Sequence, residues 1–80
     1  MKTINIHYFA LLREERGCSE ETLETQVATP LALYQLLRER HGFRLEPKHL
    51  RVAVNEIFSD WNAELNSGDV VVFIPPVAGG

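Results

Sequence analysis

The residues 75–80, Pro75-Pro76-Val77-Ala78-Gly79-Gly80, form the segment of this 80-residue chain best suited to chemistry. The two prolines lack backbone donors and favour an extended conformation, so they end a strand and form a stiff stalk. The two glycines have no side chains and can enter a passage that any Cβ would block. Six extended residues reach about 20 Å. We therefore expect a slim tail whose reactive group is the carboxylate of Gly80; the alternative is a frayed terminus.

Other residues that could do chemistry are few and scattered. The single cysteine, Cys18, excludes an internal disulfide and is typical of a protein in a reducing cytosol. The acidic residues at positions 20 and 21 disfavour its thiolate form, so a structural role is expected. The three histidines lack the spacing of metal ligands, and no metal site is expected. The glutamate pairs at 14–15 and 20–21 are expected to be solvated charges rather than an acid–base pair.

Composition excludes several classes of function. Nucleic-acid binders need a basic face to neutralise phosphates, and none is visible in this sequence of net charge −3, so nucleic-acid binding is not expected. No apolar run approaches the roughly 20 residues that span a bilayer, so no membrane association is expected. The N-terminus lacks the apolar stretch of a secretory signal, and we expect a cytoplasmic protein.

The first half of the chain predicts two strands and two helices. Alternation over 3–9 predicts a strand, and good helix formers over 10–16, closed by Gly17, predict one or two helical turns. A second strand, antiparallel to the first, is expected over 20–27. Thr29 and Pro30 are typical of a helix start, and Gly42 of its end.

The second half predicts three strands. We expect strands over 50–55 and, briefly, 57–58, with a turn at Asn55-Glu56, and irregular chain over 59–66. The continuous apolar run Val70–Ile74 is typical of a central strand buried on both faces. One main helix must then cover a mixed sheet, which gives an α+β fold with a domain over 1–74 and a tail over 75–80. The residues expected in the core are Leu33, Leu36, Leu37, Val52, Val54 and Val71.

Several short motifs together carry a family resemblance that covers the whole chain. They are Phe9-Ala10 and Arg13-Glu14 after the first strand, Ala53-Val54-Asn55, Leu65, Gly68-Asp69, and the ending Phe73-Ile74-Pro75-Pro76-Val77-Ala78-Gly79-Gly80. With these motifs the sequence resembles the small subunit of molybdopterin synthase, a ubiquitin-like sulfur carrier. Sulfur carriers of thiamine synthesis are similar in fold and also end in Gly-Gly. They lack the paired prolines, so Pro75-Pro76 favours the molybdenum-cofactor branch.

The resemblance implies a β-grasp fold and a defined cycle at Gly80. A ubiquitin-activating-type adenylyltransferase would use ATP to adenylate the carboxylate. A sulfur donor, either a sulfurtransferase or a cysteine desulfurase, would then replace AMP and leave a thiocarboxylate. The tail residues Pro75, Pro76, Val77, Ala78 and Gly79 would insert into the large synthase subunit, where sulfur passes to a pterin precursor. The carrier itself would bind no cofactor, and two carriers would join a dimer of large subunits in a heterotetramer.

The partner-contact residues expected on this interpretation are Phe9, Arg13, Phe58, Phe73 and Ile74. Aromatic residues on an exposed sheet face often anchor interfaces, although each apolar residue here could instead belong to the core and Arg13 could be solvated. Three other functions stay open from the sequence. They are a thiamine-type carrier, a protein modifier joined through Gly80 to lysines, and a ubiquitin-like interaction module with an inert tail.

Overall fold

A five-stranded mixed sheet carries the fold in a computed structural model, which describes residues 1–76. The elements are β1 (Lys2–Tyr8), α1 (Ala10–Arg16), β2 (Glu20–Thr25), α2 (Pro30–His41), β3 (Arg51–Val54), β4 (Ile57–Ser59) and β5 (Val70–Ile74), with a 3-10 turn at Pro47–His49. The strand order is β2-β1-β5-β3-β4. β1 and β5 are parallel, and the other neighbouring pairs are antiparallel. The predicted α+β fold is confirmed.

Helix α2 begins and ends where its capping residues predict. The Thr29 hydroxyl accepts a hydrogen bond from the Ala32 amide at 3.2 Å, and Gly42 closes the helix with a φ of 70°. The buried side of α2 differs from the prediction, because Tyr34 is fully buried while Leu36 is only half-buried. Tyr34 is accommodated because its hydroxyl donates to the Leu45 carbonyl at 2.8 Å, which satisfies the polar group inside the core.

Strand β5 lies at the centre of the sheet, as expected, between β1 and β3. Its burial alternates, however: Val71 and Phe73 are fully buried under α2, whereas the other three residues of the strand are half-buried. The expectation of burial on both faces was therefore wrong, since the helices leave the opposite face of the sheet uncovered. Val54, which was expected in the core, is only half-buried, because it is the last residue of β3.

The hairpin between β3 and β4 turns through Asn55 and Glu56, which have φ values of 53° and 72°. Positive φ at both central residues is what a type I′ hairpin turn requires. The Asn55 side chain donates to the Asp69 carboxylate at 2.9 Å and accepts from the Val70 amide at 2.9 Å. These bonds hold the turn against the start of β5, which explains why Asn55 and Gly68-Asp69 occur together in the motif.

Candidate functional site

The tail leaves the domain from the middle of the sheet. Ile74, the last residue of β5, lies opposite Arg51 of β3, and its neighbour Phe73 lies opposite Tyr8 of β1. Pro75 is buried and Pro76 is exposed. The expectation that the whole segment 75–80 stands clear of the domain is thus corrected at Pro75, which packs on the domain.

The rest of the predicted tail site lies outside the described residues. This applies to Val77, Ala78 and Gly79, expected to insert into a partner, and to Gly80, expected to carry the reactive carboxylate. The structure does describe the surface from which this segment departs. That surface has two flanks, one on each side of Ile74 and the prolines.

One flank is an open apolar groove of about 710 Å³. It is lined by Phe9, Ala10, Leu11, Glu14, Leu45, Ile74, Pro75 and Pro76. Phe9 and Leu11 keep 49% and 40% of their surface exposed, because the adjacent Leu12 takes the buried side of the short helix α1. Large apolar side chains that lie together at the surface, beside a segment expected to bind, are candidates for a protein interface. We call this surface the apolar groove.

The other flank carries Phe58 and Arg51 on the outer face of the sheet. Phe58 is 65% exposed and lies opposite Ala53. The Arg51 guanidinium carbon lies 5.6 Å from the centroid of the Phe58 ring, a cation–π geometry. Arg51 also lies opposite Ile74, so it separates the two apolar residues. Phe58 and Ile74, both expected to contact a partner, are therefore separated by a cation.

The structure brings together only part of the expected contact set. Phe9 and Ile74 meet in the apolar groove, Phe58 lies across Arg51, and Arg13 is exposed on α1. Phe73 is corrected: it has no exposed surface, so its side chain is not available to a partner.

Sequence reasoning missed Leu11, Leu45 and Arg51. Leu11 lies next to Leu12 on the short helix α1, and the sequence has no signal that decides which of the two leucines faces the core. Leu45 lies in the connection after α2, where the sequence has no periodicity to indicate a side. The position of Arg51 beside Phe58 depends on the pairing of β3 with β4, which no local pattern specifies.

A half-buried polar cluster fixes α1, and with it one wall of the apolar groove. Glu21 of β2 accepts hydrogen bonds from Tyr8 and from Arg16, whose Nε and Nη2 atoms lie 2.9 and 3.2 Å from its two oxygens. The His41 Nε2 atom is 3.5 Å from the same carboxylate. The expectation that Glu21 is a solvated charge was wrong, because three other elements direct polar groups at it.

These contacts shift the pKa values of the cluster. The hydrogen bonds from Arg16 hold the pKa of Glu21 below its usual value, despite partial burial. Burial lowers the pKa of His41, with help from the Arg16 charge, and together they outweigh the attraction of Glu21. Burial, the Glu21 hydrogen bond and the Glu21 charge raise the pKa of the Tyr8 hydroxyl. The cluster therefore holds an ionised carboxylate and a neutral tyrosine at neutral pH.

Other kinds of site are not found in residues 1–76. Within that range no three histidine, cysteine, aspartate or glutamate side chains converge as a metal site would require. In the same part of the chain, no helix has both the length and the apolar character needed to cross a membrane.

A comparison with protein families decides the relationship. The family model described as the ThiS family matches residues 6–80, which is nearly the entire chain. The chain belongs to the ThiS family. A relative named molybdopterin synthase sulfur carrier subunit, from Haemophilus influenzae, is 32% identical over 80 residues, covering 96% of this chain and 99% of the relative. The resemblance drawn from the sequence motifs is confirmed.

Solved structures share the same ThiS-family architecture. A putative molybdopterin converting factor subunit 1 from Pyrococcus furiosus has a TM-score of 0.82 and 30% identity, covering 96% of this chain and 100% of that one. A complex of subunits 1 and 2 of the molybdopterin-converting factor from Helicobacter pylori includes a chain with a TM-score of 0.68 and 23% identity, covering 98% of this chain and 99% of that one. At that identity the second likeness shows the fold alone.

Proposed function

We propose that this chain is the sulfur carrier of a molybdopterin synthase, with the Gly80 carboxylate as the group that carries sulfur. The observation that carries the proposal is the end-to-end similarity to a relative named as that carrier subunit. The Pro75-Pro76 pair before Val-Ala-Gly-Gly supports the molybdenum-cofactor branch over the thiamine branch. The carrier acts in the cytoplasm, where ATP and reduced sulfur donors are available.

The chemistry proposed for Gly80 follows from the poor reactivity of a carboxylate. Its charge is delocalised, so a nucleophile attacks it slowly and no good leaving group is present. Adenylation by a ubiquitin-activating-type enzyme joins a carboxylate oxygen to the α-phosphate of ATP and releases pyrophosphate. The terminal sulfur of a donor persulfide then attacks the acyl carbon as AMP leaves, which forms an acyl disulfide. A second thiol attacks the donor's sulfur, forms a disulfide with it and releases the thiocarboxylate. The thiocarboxylate gives its sulfur to a pterin precursor, and water restores the carboxylate.

The surface around the tail base supports docking of a partner subunit. The apolar groove exposes Phe9 and Leu11 beside Ile74 and the prolines, where a partner that receives the tail must lie. Large side chains in such a position are the usual anchors of an interface. We propose that the large synthase subunit covers this groove while residues 77–80 enter its active site, with two carriers on each dimer of large subunits.

A transfer assay tests the proposed donation step. Carrier loaded with sulfur at its C-terminus is mixed with the large synthase subunit and the pterin precursor, and its intact mass is followed. We expect the thiocarboxylate to return to the carboxylate only when both are present, while the pterin gains sulfur. Loss of sulfur at the same rate without the large subunit would contradict the proposal. Lysine adducts through Gly80 in place of transfer would assign the chain to protein modification instead.

A further inference from the structure

A second hollow lies on the opposite side of the tail base from the apolar groove. It has a volume of about 340 Å³ and is lined by residues 48–51 together with Ile74, Pro75 and Pro76. Ile74 and both prolines line the apolar groove as well, so the tail base forms a ridge between the two depressions. We call this depression the basic hollow, because Lys48, His49 and Arg51 supply its polar side chains.

The charge of the basic hollow contrasts with that of the whole chain. The protein has a net charge of −3, yet this wall carries two cations and a histidine. Lys48 Nζ is 3.3 Å from Glu46 Oε2, but both side chains are largely exposed. An exposed ion pair is weak, so a carboxylate of a partner can replace Glu46. Arg51 forms no ion pair within residues 1–76 and stacks on Phe58 instead. Stacking orients a guanidinium while its edge donors stay available for a bidentate contact.

Two features indicate a carboxylate rather than a phosphate as the group that binds in the basic hollow. Phosphate sites usually use backbone N–H groups in addition to cations. Here the amides of His49 and Leu50 are occupied, since they donate to the Glu46 and Pro47 carbonyls at 2.9 and 3.0 Å. The cations are also mounted on an open, exposed wall, as is usual for steering a protein partner of opposite charge.

We propose that the basic hollow docks an acidic segment of the large synthase subunit, with Arg51 and Lys48 contacting its carboxylates. This inference rests on the proposed function, because it concerns the partner that receives the tail. That partner must cover both flanks of the ridge once residues 77–80 are inserted. The apolar groove then supplies buried area, and the basic hollow fixes the orientation of the carrier and speeds the encounter.

The test compares charge-neutralising variants of the full chain. Arg51→Gln, Lys48→Gln and the double variant are measured against Arg40→Gln, which removes the same charge from an exposed position on α2 outside the hollow. Dissociation constants and association rates for the large synthase subunit are determined at low and high salt, after thermal melts show that all variants fold. The rate of adenylation by the activating enzyme is measured for the same variants. Lys48→Gln removes no aromatic stacking, so it separates the charge of the hollow from the packing of Phe58.

We expect the double variant to bind about tenfold more weakly at low salt, with most of the loss in the association rate and a smaller difference at high salt. Arg40→Gln should bind like the wild type. Equal binding by all variants, or weakened binding that does not depend on salt, would overturn the inference. Normal binding to the large synthase subunit with slow adenylation would also overturn it, and would assign the hollow to docking of the activating enzyme. Failure of the wild type to bind would instead count against the proposed function.

Discussion

One carboxylate connects four elements of this fold. Glu21 on β2 accepts from Tyr8 on β1 and Arg16 on α1, and it lies beside His41 at the end of α2. Hydrogen bonds to a charged, partly buried group stabilise more than neutral ones at the surface. Because α1 carries Leu11, the same residue also holds one wall of the apolar groove in place.

Glu21→Gln should lower the free energy of unfolding by about 1.5–3 kcal/mol, because an amide cannot accept from both Arg16 nitrogens and Tyr8 as the carboxylate does. Denaturant titration measures the change. Glu20→Gln is the matched control, since its carboxylate is exposed and lies 3.8 Å from His7; it should shift stability by less than about 0.5 kcal/mol. Equal losses of unfolding free energy from the two substitutions would show that the cluster stabilises the fold no more than an exposed carboxylate does.

The pH dependence of stability follows from the same residues. Both Glu21 and His41 have lowered pKa values in the folded state, so the unfolded state binds more protons. Each contribution is present above the group's ordinary pKa and is lost as the pH falls through the folded value. Stability should therefore decline as the pH falls, beginning near 6.5 for His41 and continuing below about 4.5 for Glu21.

His41→Asn should flatten the upper part of that decline, and Glu21→Gln should flatten the lower part. Thermal melts from about pH 2 to about pH 8, in steps of roughly half a unit, would resolve the two limbs. A wild type that gains stability as the pH falls from neutral would contradict the assignment.

At the scale of elements, the β3–β4 hairpin contains a mismatch between sequence and backbone. Glu56 has a φ of 72°, which costs a residue with a Cβ about 1–2 kcal/mol. Asn55 tolerates the left-handed region well, and its side chain is also bonded to Asp69 and Val70. The favoured pair for such a turn is Asn-Gly.

Glu56→Gly should therefore raise the free energy of unfolding by about 1 kcal/mol, which corresponds to a melting temperature higher by roughly 4–8 °C in a domain of this size. Glu56→Ala is the control, since it removes the same side chain but keeps the Cβ and its strain. If the alanine variant gained as much as the glycine variant, backbone strain would not be the cause.

How well each element could be predicted depends on how local its determinants are. Helix α2 was predicted to the residue, because Thr29, Pro30 and Gly42 specify its ends through their own backbone preferences. In β5 every residue is apolar, so the sequence has no alternation to reveal which side faces α2. For that reason Phe73 was assigned to a contact surface although it is buried, while Ile74 beside it does reach the surface.

At the scale of the whole molecule, the residues of the proposed tail are contiguous in the sequence, whereas the surface around its base is not. The role expected for Pro75 through Gly80 rests on a local pattern of prolines and glycines and on the family resemblance, and it stays a prediction. The apolar groove and the basic hollow combine residues from α1, β3, β5 and the connection after α2. Their proximity is a product of the sheet order β2-β1-β5-β3-β4, which local patterns do not specify.

The apolar groove leads to a prediction about assembly. Phe9→Asp should weaken binding to the large synthase subunit by about 2 kcal/mol, because a charge replaces an anchor at the tail base. Ile57→Asp is the control, since Ile57 is 72% exposed but lies on β4 outside the groove. Titration calorimetry would compare the two. Similar affinities for both variants would place the docking surface elsewhere.

The central claim is that the carboxylate of Gly80 is the site of activation. Adding one alanine after Gly80 moves the reacting carbon by about 3.3 Å, and a misplacement of about 1 Å can already cost on the order of a hundredfold in rate. Deleting Gly80 should fail for the same reason, and Gly79→Val should fail because a branched side chain cannot pass where glycine does. All three variants should fold, since none of them changes a residue of the sheet or of the helices.

The most direct measurement is intact mass spectrometry after incubation with the activating enzyme, ATP and a sulfur donor. The wild type should gain the mass of one sulfur in place of one oxygen, located by fragmentation at Gly80, and the three variants should remain unchanged. An alanine-extended chain that acquires sulfur as fast as the wild type, or sulfur located at Cys18, would contradict the account.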